Sequence, residues 1–307
     1  MRRIVLSCSP SERPMMRLLL AALLGLAAAA LGVFATSLAQ APPATAQTTS
    51  TMPDEPTFGV RCDYSHRNWD DPIVYPGKQG AAHSHDFFGN RSTKYNSTYT
   101  SLRNATTSTD PDGTTCTRPD DKSAYWIPTV KWNGTNLKAN RGIFYYRANS
   151  KTPSTVKAHP AGLKVVPNTS FEWRCSDGVA WSSTPPTQCS NGFLEGRIMF
   201  PDCSNGQLDS ADHRSHMAYA GLAQGDSTRK CPSTHPTPLP TLSAIIRFAV
   251  PTTEGTVTLS SGAPSTMHAD FFNAWKQEEL DRLVKKCIND FTTPEARPRP
   301  ADCEVTR

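Results

Sequence analysis

The chain has 307 residues and a formal net charge of +5, and only 19% of its residues are charged. Residues 1–40 hold four arginines and one glutamate, so about +2 is left for the rest of the chain, which is too weak a basic bias to indicate nucleic-acid binding. The low charged fraction and the 26 prolines favour a loop-rich, mainly β protein.

A secretory signal is predicted for residues 1–39. Arginines precede the uninterrupted apolar run Leu18–Phe34, and the small residues Ser37 and Ala39 follow it. This order is typical of a cleavable signal, so it predicts an extracellular, secreted protein. The apolar run is at the lower limit for crossing a bilayer, so an uncleaved anchor is the alternative, and only that alternative predicts a membrane partner.

The region after the signal divides into a linker and one domain. Residues 40–56 are rich in Ala, Pro, Thr and Gln and have no apolar period, which predicts a flexible linker. No boundary is visible within residues 57–307, which are predicted to form a single β-rich domain. Because Met16 begins a complete signal by itself, the sequence leaves the true start open between Met1 and Met16.

Cysteine usage agrees with export. Loss of Cys8 with the signal leaves eight cysteines, an even number that indicates disulfides in an exported chain. They are Cys62, Cys116, Cys175, Cys189, Cys203, Cys231, Cys287 and Cys303. Eight cysteines allow 105 pairings, and the one pair that we predict is Cys287 with Cys303, which would tie the tail to the preceding helix.

The central region reads as short strands broken by Gly, Pro, Asn and Asp. The segments SAYWIPTVKW (123–132) and GIFYYRA (142–148) are rich in aromatic and β-branched residues, and Asn133-Gly134 lies between them. We therefore predict a β-hairpin over residues 123–148. Further strands are predicted at GLKVVP, NGFLEGRIMF, LSAIIRFAV and GTVTLSSG.

One helix is predicted near the C-terminus, over residues 265–290. From Leu280 onward the apolar residues follow the helical spacing i, i+3, i+4, i+7, and Ser265 or Thr266 offers an N-cap. The fold class predicted from these elements is mainly β: a single-domain, disulfide-stabilised β-sandwich or jelly roll that is closed by a C-terminal α-helix.

The histidines suggest a metal site. His83 and His85 would share one face of a strand, because strand side chains alternate with period two. Neutral imidazole is the commonest side-chain ligand of metal ions, and histidine with aspartate suits zinc, copper or non-haem iron. The metal hypothesis takes a divalent ion as the cofactor and names as its ligands His83, His85, His235, His268 and Asp270.

The same region can be interpreted as acid–base chemistry without a metal ion. Imidazole gives or takes a proton near neutral pH, and arginine binds a carboxylate with its planar fork. The catalytic candidates are His83, His85, His213, Arg214 and His216. Tyr125, Trp126 and Tyr219 are candidates for substrate binding, either by stacking on sugar rings or by proton donation, although aromatic residues more often fill a core.

Known motifs add little. The stretch GKQGAAHSH matches the opening of the cupin pattern, but Gly89 and Asn90 stand where that pattern requires a glutamate. The sequence has no GxSxG, HExxH, Walker or GxGxxG motif of the enzyme classes they mark.

The longest motifs resemble a known family. They are DPIVYPGKQGAAHSHDFFGN, SAYWIPTVKWNG, LDSADHRSHMAY, CPSTHPTPLPTL and HADFFNAW. These stretches are similar to the secreted family catalogued as domain of unknown function nineteen-ninety-six, of fungi and actinomycete-type bacteria. The resemblance implies an exported protein, and its association with cell-wall and carbohydrate-binding modules favours a polysaccharide context. It implies no catalytic role for any residue.

Three functions therefore stay open. The first is a histidine-lined cleft that binds or acts on extracellular polysaccharide or cell wall, as a lyase or hydrolase that a metal ion can assist. The second is a zinc- or copper-binding protein without turnover. The third is a structural cell-wall protein whose histidines are ordinary polar core residues. The first requires the histidines at 83, 85, 213, 216, 235 and 268 to share one pocket.

Overall fold

The structure is a computed structural model, and it describes residues 55–106, 112–169, 171–178, 180–291 and 301–305. The predicted signal and most of the predicted linker lie outside these ranges. The strands and helices of the described residues are, in chain order, β1 (Thr57–Cys62), β2 (Tyr64–Asn68), β3 (His85–Gly89), α1 (Tyr99–Arg103), β4 (Ala124–Pro128), β5 (Val130–Trp132), β6 (Thr135–Asn136), β7 (Ala139–Arg147), β8 (Lys164–Val165), β9 (Glu172–Cys175), β10 (Phe193–Met199), β11 (Cys203–Ser204), β12 (Met217–Ala218), β13 (Thr237–Pro238), β14 (Thr241–Ala249), β15 (Val257–Leu259), β16 (Asp270–Phe272) and α2 (Gln277–Val284).

Two five-stranded antiparallel sheets form the body of the domain. The first has the strand order β1-β7-β14-β10-β9, and the second has the order β2-β3-β4-β16-β8. Their facing surfaces share one apolar core, in which Tyr125 of the second sheet stacks on Phe144 of the first with ring centroids 3.8 Å apart. The prediction of a mainly β fold with a C-terminal helix and disulfides is confirmed.

The second sheet buries both of its faces, and this positions the site. Because side chains alternate along a strand, Tyr125 of β4 points into the shared core, whereas its neighbour Trp126 points to the opposite, outer face. There Trp126 packs with Phe87, Phe272 and Leu102 in a smaller second core. The outer face is therefore covered in part by Leu102 of α1 and by Ile73 of a loop, and β3 and β16 begin on it with the polar residues His85 and Asp270.

The predicted hairpin over residues 123–148 exists only in its central part. Strands β5 and β6 pair across Asn133 and Gly134, whose φ angles of 49° and 79° suit a two-residue turn. However, β4 lies in the second sheet and β7 lies in the first. The chain therefore leaves the second sheet after β4, forms the short hairpin β5–β6 in a separate three-stranded sheet, and enters the first sheet at β7.

The predicted C-terminal helix begins later than its sequence indicated. Residues 270–272 form β16, which pairs with β4 and β8, and α2 begins only at Gln277 after Lys276 as its N-cap. From there the predicted apolar stripe is confirmed, since Leu280 and Leu283 are buried and the chain continues into a π-helical turn at Lys285–Asn289. Pairing within a sheet outweighed helix propensity in the first half of the segment.

Four disulfides brace the described chain. The predicted pair Cys287–Cys303 is confirmed. The other three bridges join Cys62 to Cys116, Cys175 to Cys189, and Cys203 to Cys231. This cystine content fits a protein of an oxidising, extracellular environment. A search of the described residues for a helix long and apolar enough to span a bilayer finds none.

Candidate metal centre

His83 and His85 lie together at the open end of the second sheet. Strand β3 begins at His85, and His83 lies two residues before it, so the two rings share the outer face as the alternation predicts. Their centroids are 4.3 Å apart.

A third imidazole joins this pair from a distant part of the sequence. His268 lies two residues before Asp270, the first residue of β16, and only β4 separates β16 from β3. The ring centroid of His268 is 5.0 Å from that of His83 and 5.7 Å from that of His85. One ring nitrogen from each of the three histidines lies within 4.8 Å of the others.

Hydrogen bonds orient two of the rings. Nδ1 of His85 donates to the carbonyl oxygen of Asp70 at 3.1 Å, and Nδ1 of His268 donates to the carbonyl oxygen of Thr266 at 2.9 Å. A backbone carbonyl only accepts, so the proton of each neutral ring is on Nδ1 and the lone pair is on Nε2. Metal-binding histidines are usually held in this way by a hydrogen bond from the other ring nitrogen.

The free ring nitrogens are buried without partners. Nε2 of His83 and Nε2 of His85 have no hydrogen-bond partner. Burial lowers the pKa of His83 to about 4, and the charge of His268 adds to this effect. Burial also lowers the pKa of His85 and of His268. At neutral pH all three rings are therefore uncharged and offer lone pairs.

A buried carboxylate completes the cluster. Asp270 is 1% exposed and neither of its oxygens has a hydrogen-bond partner. Its Oδ2 lies 4.0 Å from Nε2 of His268. Burial raises the pKa of Asp270 well above its usual range, and the neighbouring carboxylate of Asp71 adds to the rise. An ionised carboxylate in this position needs a compensating cation.

Asp71 forms the far side of the same space. One of its carboxylate oxygens, one ring nitrogen of His85 and one oxygen of Asp270 lie within 4.8 Å of one another. Oδ1 of Asp71 accepts hydrogen bonds from the backbone N–H groups of Ile73 and Val74, both at 2.9 Å. Asp71 is thus fixed by its own loop, whereas Asp270 is not hydrogen-bonded.

Three imidazole nitrogens and one carboxylate are a donor set for zinc, copper or non-haem iron. Nitrogens around a bound zinc ion lie about 3.3 Å apart, so small side-chain rotations would close the group around an ion. His268 is 26% exposed and His83 is half-buried, so solvent reaches the cluster from one side. A second group of metal-binding residue types, Cys62, Cys116 and Asp121, is no such site because its cysteines form a disulfide.

The other predicted histidines lie outside this cluster. Nδ1 of His213 lies 2.9 Å from Oδ1 of Asp209. His216 is fully buried, and its Nε2 donates to the carbonyl oxygen of Lys164 at 2.7 Å. Nε2 of His235 donates to the carbonyl oxygen of Ser215 at 3.0 Å. Of the six histidines expected to share one pocket, three converge, and these other three hold backbone and loop residues elsewhere.

Arg214 lies between two of these histidines in the sequence. Burial lowers the pKa of His268 and raises that of Asp270, and the positive charge of Arg214 adds to the first shift and opposes the second. The side chain of Arg214 is exposed.

The predicted sugar-binding aromatic residues are not surface platforms. Tyr125 and Trp126 are at most 1% exposed, and the hydroxyl of Tyr125 bonds to Asp121 and Tyr146 inside the shared core. A polysaccharide cannot stack on rings in this position. Tyr219 is partly exposed, and its hydroxyl donates to the carbonyl oxygen of Met199 at 3.2 Å.

Sequence reasoning missed the loop that supports the cluster, residues 69–82. The Asp70 carboxylate accepts from the backbone N–H of Gly80 at 2.8 Å, and the N–H of Ala82 donates to the carbonyl oxygen of Trp69 at 3.1 Å, so the loop closes on itself. Trp69 is 58% exposed and Tyr75 is 39% exposed. The aspartate pair before Pro72 was the sequence signal that could have revealed this loop.

The cluster differs from the cupin pattern in its remaining ligand candidates. His85 and His83 correspond to the spaced histidines of that pattern, but the expected glutamate is absent from β3. In its place, His268 and Asp270 approach from β16 across the sheet.

Comparison with known proteins identifies a family. The model of the family described as "Domain of unknown function (DUF1996)" matches residues 71–275. No curated protein and no solved structure matches the chain.

Proposed function

The chain belongs to the DUF1996 family, a description that assigns no activity, and from the geometry of the site we propose an exported protein with a divalent metal centre that acts on extracellular polysaccharide. His83, His85 and His268 bind the ion through Nε2. Asp270 supplies the fourth ligand or accepts a hydrogen bond from a bound water molecule.

The observation that carries the metal centre is the convergence of unpartnered polar atoms. Nε2 of His83, Nε2 of His85 and both carboxylate oxygens of Asp270 are buried without a hydrogen bond. Leaving such atoms unpaired is costly. A cation between the three imidazoles would give the nitrogens a partner, and Asp270, whose Oδ2 lies 4.0 Å from Nε2 of His268, would lie beside it. The backbone hydrogen bonds of His85 and His268 hold their free nitrogens ready for this ion.

Access to the cluster favours turnover over storage. Structural metal sites are closed by protein ligands, whereas catalytic sites keep one position for water or substrate. The half-buried ring of His83 and the partly exposed ring of His268 leave one side of the cluster open. A bound ion there would make water a stronger nucleophile and base near neutral pH, as hydrolase or lyase chemistry requires.

The polysaccharide part of the proposal is supported by the loop 69–82. Trp69 and Tyr75 are large exposed aromatic side chains on the loop that also carries Asp70 and Asp71. Exposed aromatic rings beside a polar centre suit binding of the apolar faces of sugars. The four disulfides are consistent with an extracellular place of action.

Metal analysis tests the centre. The mature protein is purified without a polyhistidine tag, incubated with Zn²⁺ or Cu²⁺, desalted and measured for bound metal. We expect about one equivalent per chain, lost in the variant His83→Ala/His85→Ala. The matched control is His213→Ala/His235→Ala, which also removes two histidines but should keep the metal.

Two results would overturn the centre: no retained metal in the unaltered protein, or equal loss in both double variants. If metal is retained, the protein is incubated with polymers of uronic acids and with neutral polysaccharides. The ultraviolet absorbance of unsaturated products reports lyase activity, and a reducing-sugar assay for new chain ends reports hydrolase activity. Retention of metal without any product would support the alternative of a metal-binding protein without turnover.

A further inference from the structure

The segment 208–219 is anchored beside the metal centre. Lys164 of β8 stands opposite Phe272 of β16, and its Nζ lies 5.4 Å from the centre of the Phe272 ring on the outer face of the sheet. Asp270 lies two residues before Phe272, so it shares that face. His216 donates a hydrogen bond to the carbonyl oxygen of Lys164, and the carboxylate of Asp209 pairs with the ammonium group of Lys164 at 3.1 Å. The segment is therefore fixed to β8, the edge strand of the second sheet.

The backbone on both sides of Arg214 is held by several independent contacts. The carboxylate of Asp212 accepts from the N–H of Arg214 at 3.1 Å and from that of Ser215 at 2.9 Å. The carbonyl oxygen of Ser215 accepts from His235. His213 adopts a φ of 59°, a left-handed conformation that costs free energy in a residue with a Cβ atom. Such strain is kept where the surroundings impose it, often at functional sites.

The hydrogen bonds around residue 214 leave the side chain of Arg214 exposed to solvent. Among the described residues its guanidinium has no hydrogen bond and no ion pair, in contrast to Arg67, which forms a bidentate pair with Asp86. Arg214 is exposed, and it lies on the segment that His216 and Asp209 fix to β8, the strand next to β16. Because its guanidinium has no anionic partner in the protein, it is available to an anion from solution.

We propose that Arg214 binds the carboxylate of an acidic sugar whose other polar groups reach the metal centre, so that the substrate is a uronic-acid polymer. This rests on the proposed function. The planar guanidinium forms two parallel hydrogen bonds with a carboxylate, which fixes both position and orientation. In this arrangement His213, His216 and His235 are positioning residues that hold the segment carrying Arg214.

Calorimetric titration of the zinc-loaded protein tests the inference. The ligands are tetragalacturonate and tetramannuronate, the methyl ester of tetragalacturonate, and an oligomer of glycerol phosphate. We expect at least one uronate to bind about ten-fold or more tightly than the neutral ester. Arg214→Gln should abolish that preference, and Arg214→Lys, which keeps the charge but not the fork, should retain part of it.

Two controls separate binding from folding and from the metal. Arg141→Gln removes a partly buried arginine of β7 in the other sheet and should leave the preference unchanged. Melting temperature and zinc content should be the same in Arg214→Gln and the unaltered protein, because Arg214 is exposed and not a ligand.

The outcomes are distinct. Retained zinc with equal binding of uronates and ester, or with a preference that Arg214→Gln leaves intact, overturns this inference but not the metal centre. Tighter, Arg214-dependent binding of the phosphate oligomer also overturns it and assigns the site to phosphate. Absence of zinc overturns the proposed function itself.

Discussion

His268 and Asp270 lie on the same side of the chain where it enters β16, with Nε2 of His268 4.0 Å from Oδ2 of Asp270. The two residues face His85 across β4, the strand that separates β16 from β3. An imidazole with a free lone pair and a buried carboxylate thus approach one point from the same strand end. This relationship determines how the centre should respond to substitution.

Asp270→Asn is expected to have opposite effects in the absence and presence of metal. In the presence of a metal chelator, the melting temperature of the variant should be about 2–4 °C higher than that of the unaltered protein. This shift corresponds to about 1 kcal/mol and arises because an unpartnered buried carboxylate is removed. With zinc added to about 100 times its Kd, the unaltered protein should gain about 2.7 kcal/mol, and the variant clearly less. Thermal unfolding followed by circular dichroism measures both conditions.

Asp86→Asn is the matched control for that experiment. Asp86 is also a buried carboxylate of the same sheet, but it is paired with Arg67. Its removal leaves the guanidinium unpaired, so the melting temperature should fall in both conditions. An equal fall for Asp270→Asn would contradict the assignment of Asp270 to the metal centre.

Trp69→Ala is expected to weaken polysaccharide binding without affecting stability. The side chain is 58% exposed, so its loss removes a stacking surface but little of the core. Loss of one aromatic contact should weaken binding about ten-fold, measured by affinity electrophoresis in gels containing the polysaccharide. Leu222→Ala removes an equally exposed apolar side chain from another loop, and the two variants should differ. If both variants migrate equally slowly in the polysaccharide gel, the loop 69–82 is not a binding surface.

The stability of the domain should depend on pH through Asp121. Burial raises the pKa of Asp121 to about 6, above the value of 3.8 of a solvated carboxyl. The folded state therefore holds its proton more tightly than the unfolded state, so this group's contribution to stability is greatest below pH 3.8 and falls as the pH rises towards 6. The loss is about 3 kcal/mol when complete.

The comparison with Asp121→Asn isolates this effect. His159, whose pKa burial lowers to about 3, contributes with the opposite sign, because its unfolded state takes up a proton first as the pH falls. Urea unfolding is measured at pH 4, 5, 6 and 7 for both proteins. The free energy of unfolding of Asp121→Asn minus that of the unaltered protein should therefore rise with pH. Glu254→Gln, at an exposed carboxylate, should give a flat difference.

Removal of the Cys287–Cys303 bridge should destabilise the domain. The bridge closes a loop with a sequence separation of 16 residues, and closing a loop of this size contributes about 3 kcal/mol. For a domain of this size, Cys287→Ala/Cys303→Ala should melt about 6–12 °C lower. If the melting temperature does not change, the bridge has no stabilising role.

Local chemistry was enough to predict much of the fold. The alternation that places His83 beside His85, the two-residue turn at Asn133-Gly134 and the apolar stripe from Leu280 are all set by neighbours in sequence, so the pattern of the sequence is sufficient for them. The pairing of Cys287 with Cys303 belongs to the same class, because the helix brings a nearby cysteine within reach of the tail.

Sequence periodicity could not predict where strands change sheets or partners. The apolar pattern of residues 270–272 is compatible with a helix as well as with a strand. These residues form a strand because they pair with β4 and β8. That pairing turned His268 and Asp270 towards His85. His213, His216 and His235 instead contact Asp209, Lys164 and Ser215, although their spacing resembles that of ligands.

Local patterns were sufficient to predict the class of this protein: a mainly β, cystine-braced domain that carries a histidine pair on one strand face. Composition, alternation and cysteine number act over short distances and need no knowledge of which strands are neighbours. That His268 and Asp270 join this pair follows from the strand order, because β3 and β16 flank β4 and begin at the same end of the sheet. A lone pair or a carboxylate becomes a site only when long-range strand pairing brings it within a few ångströms of the others.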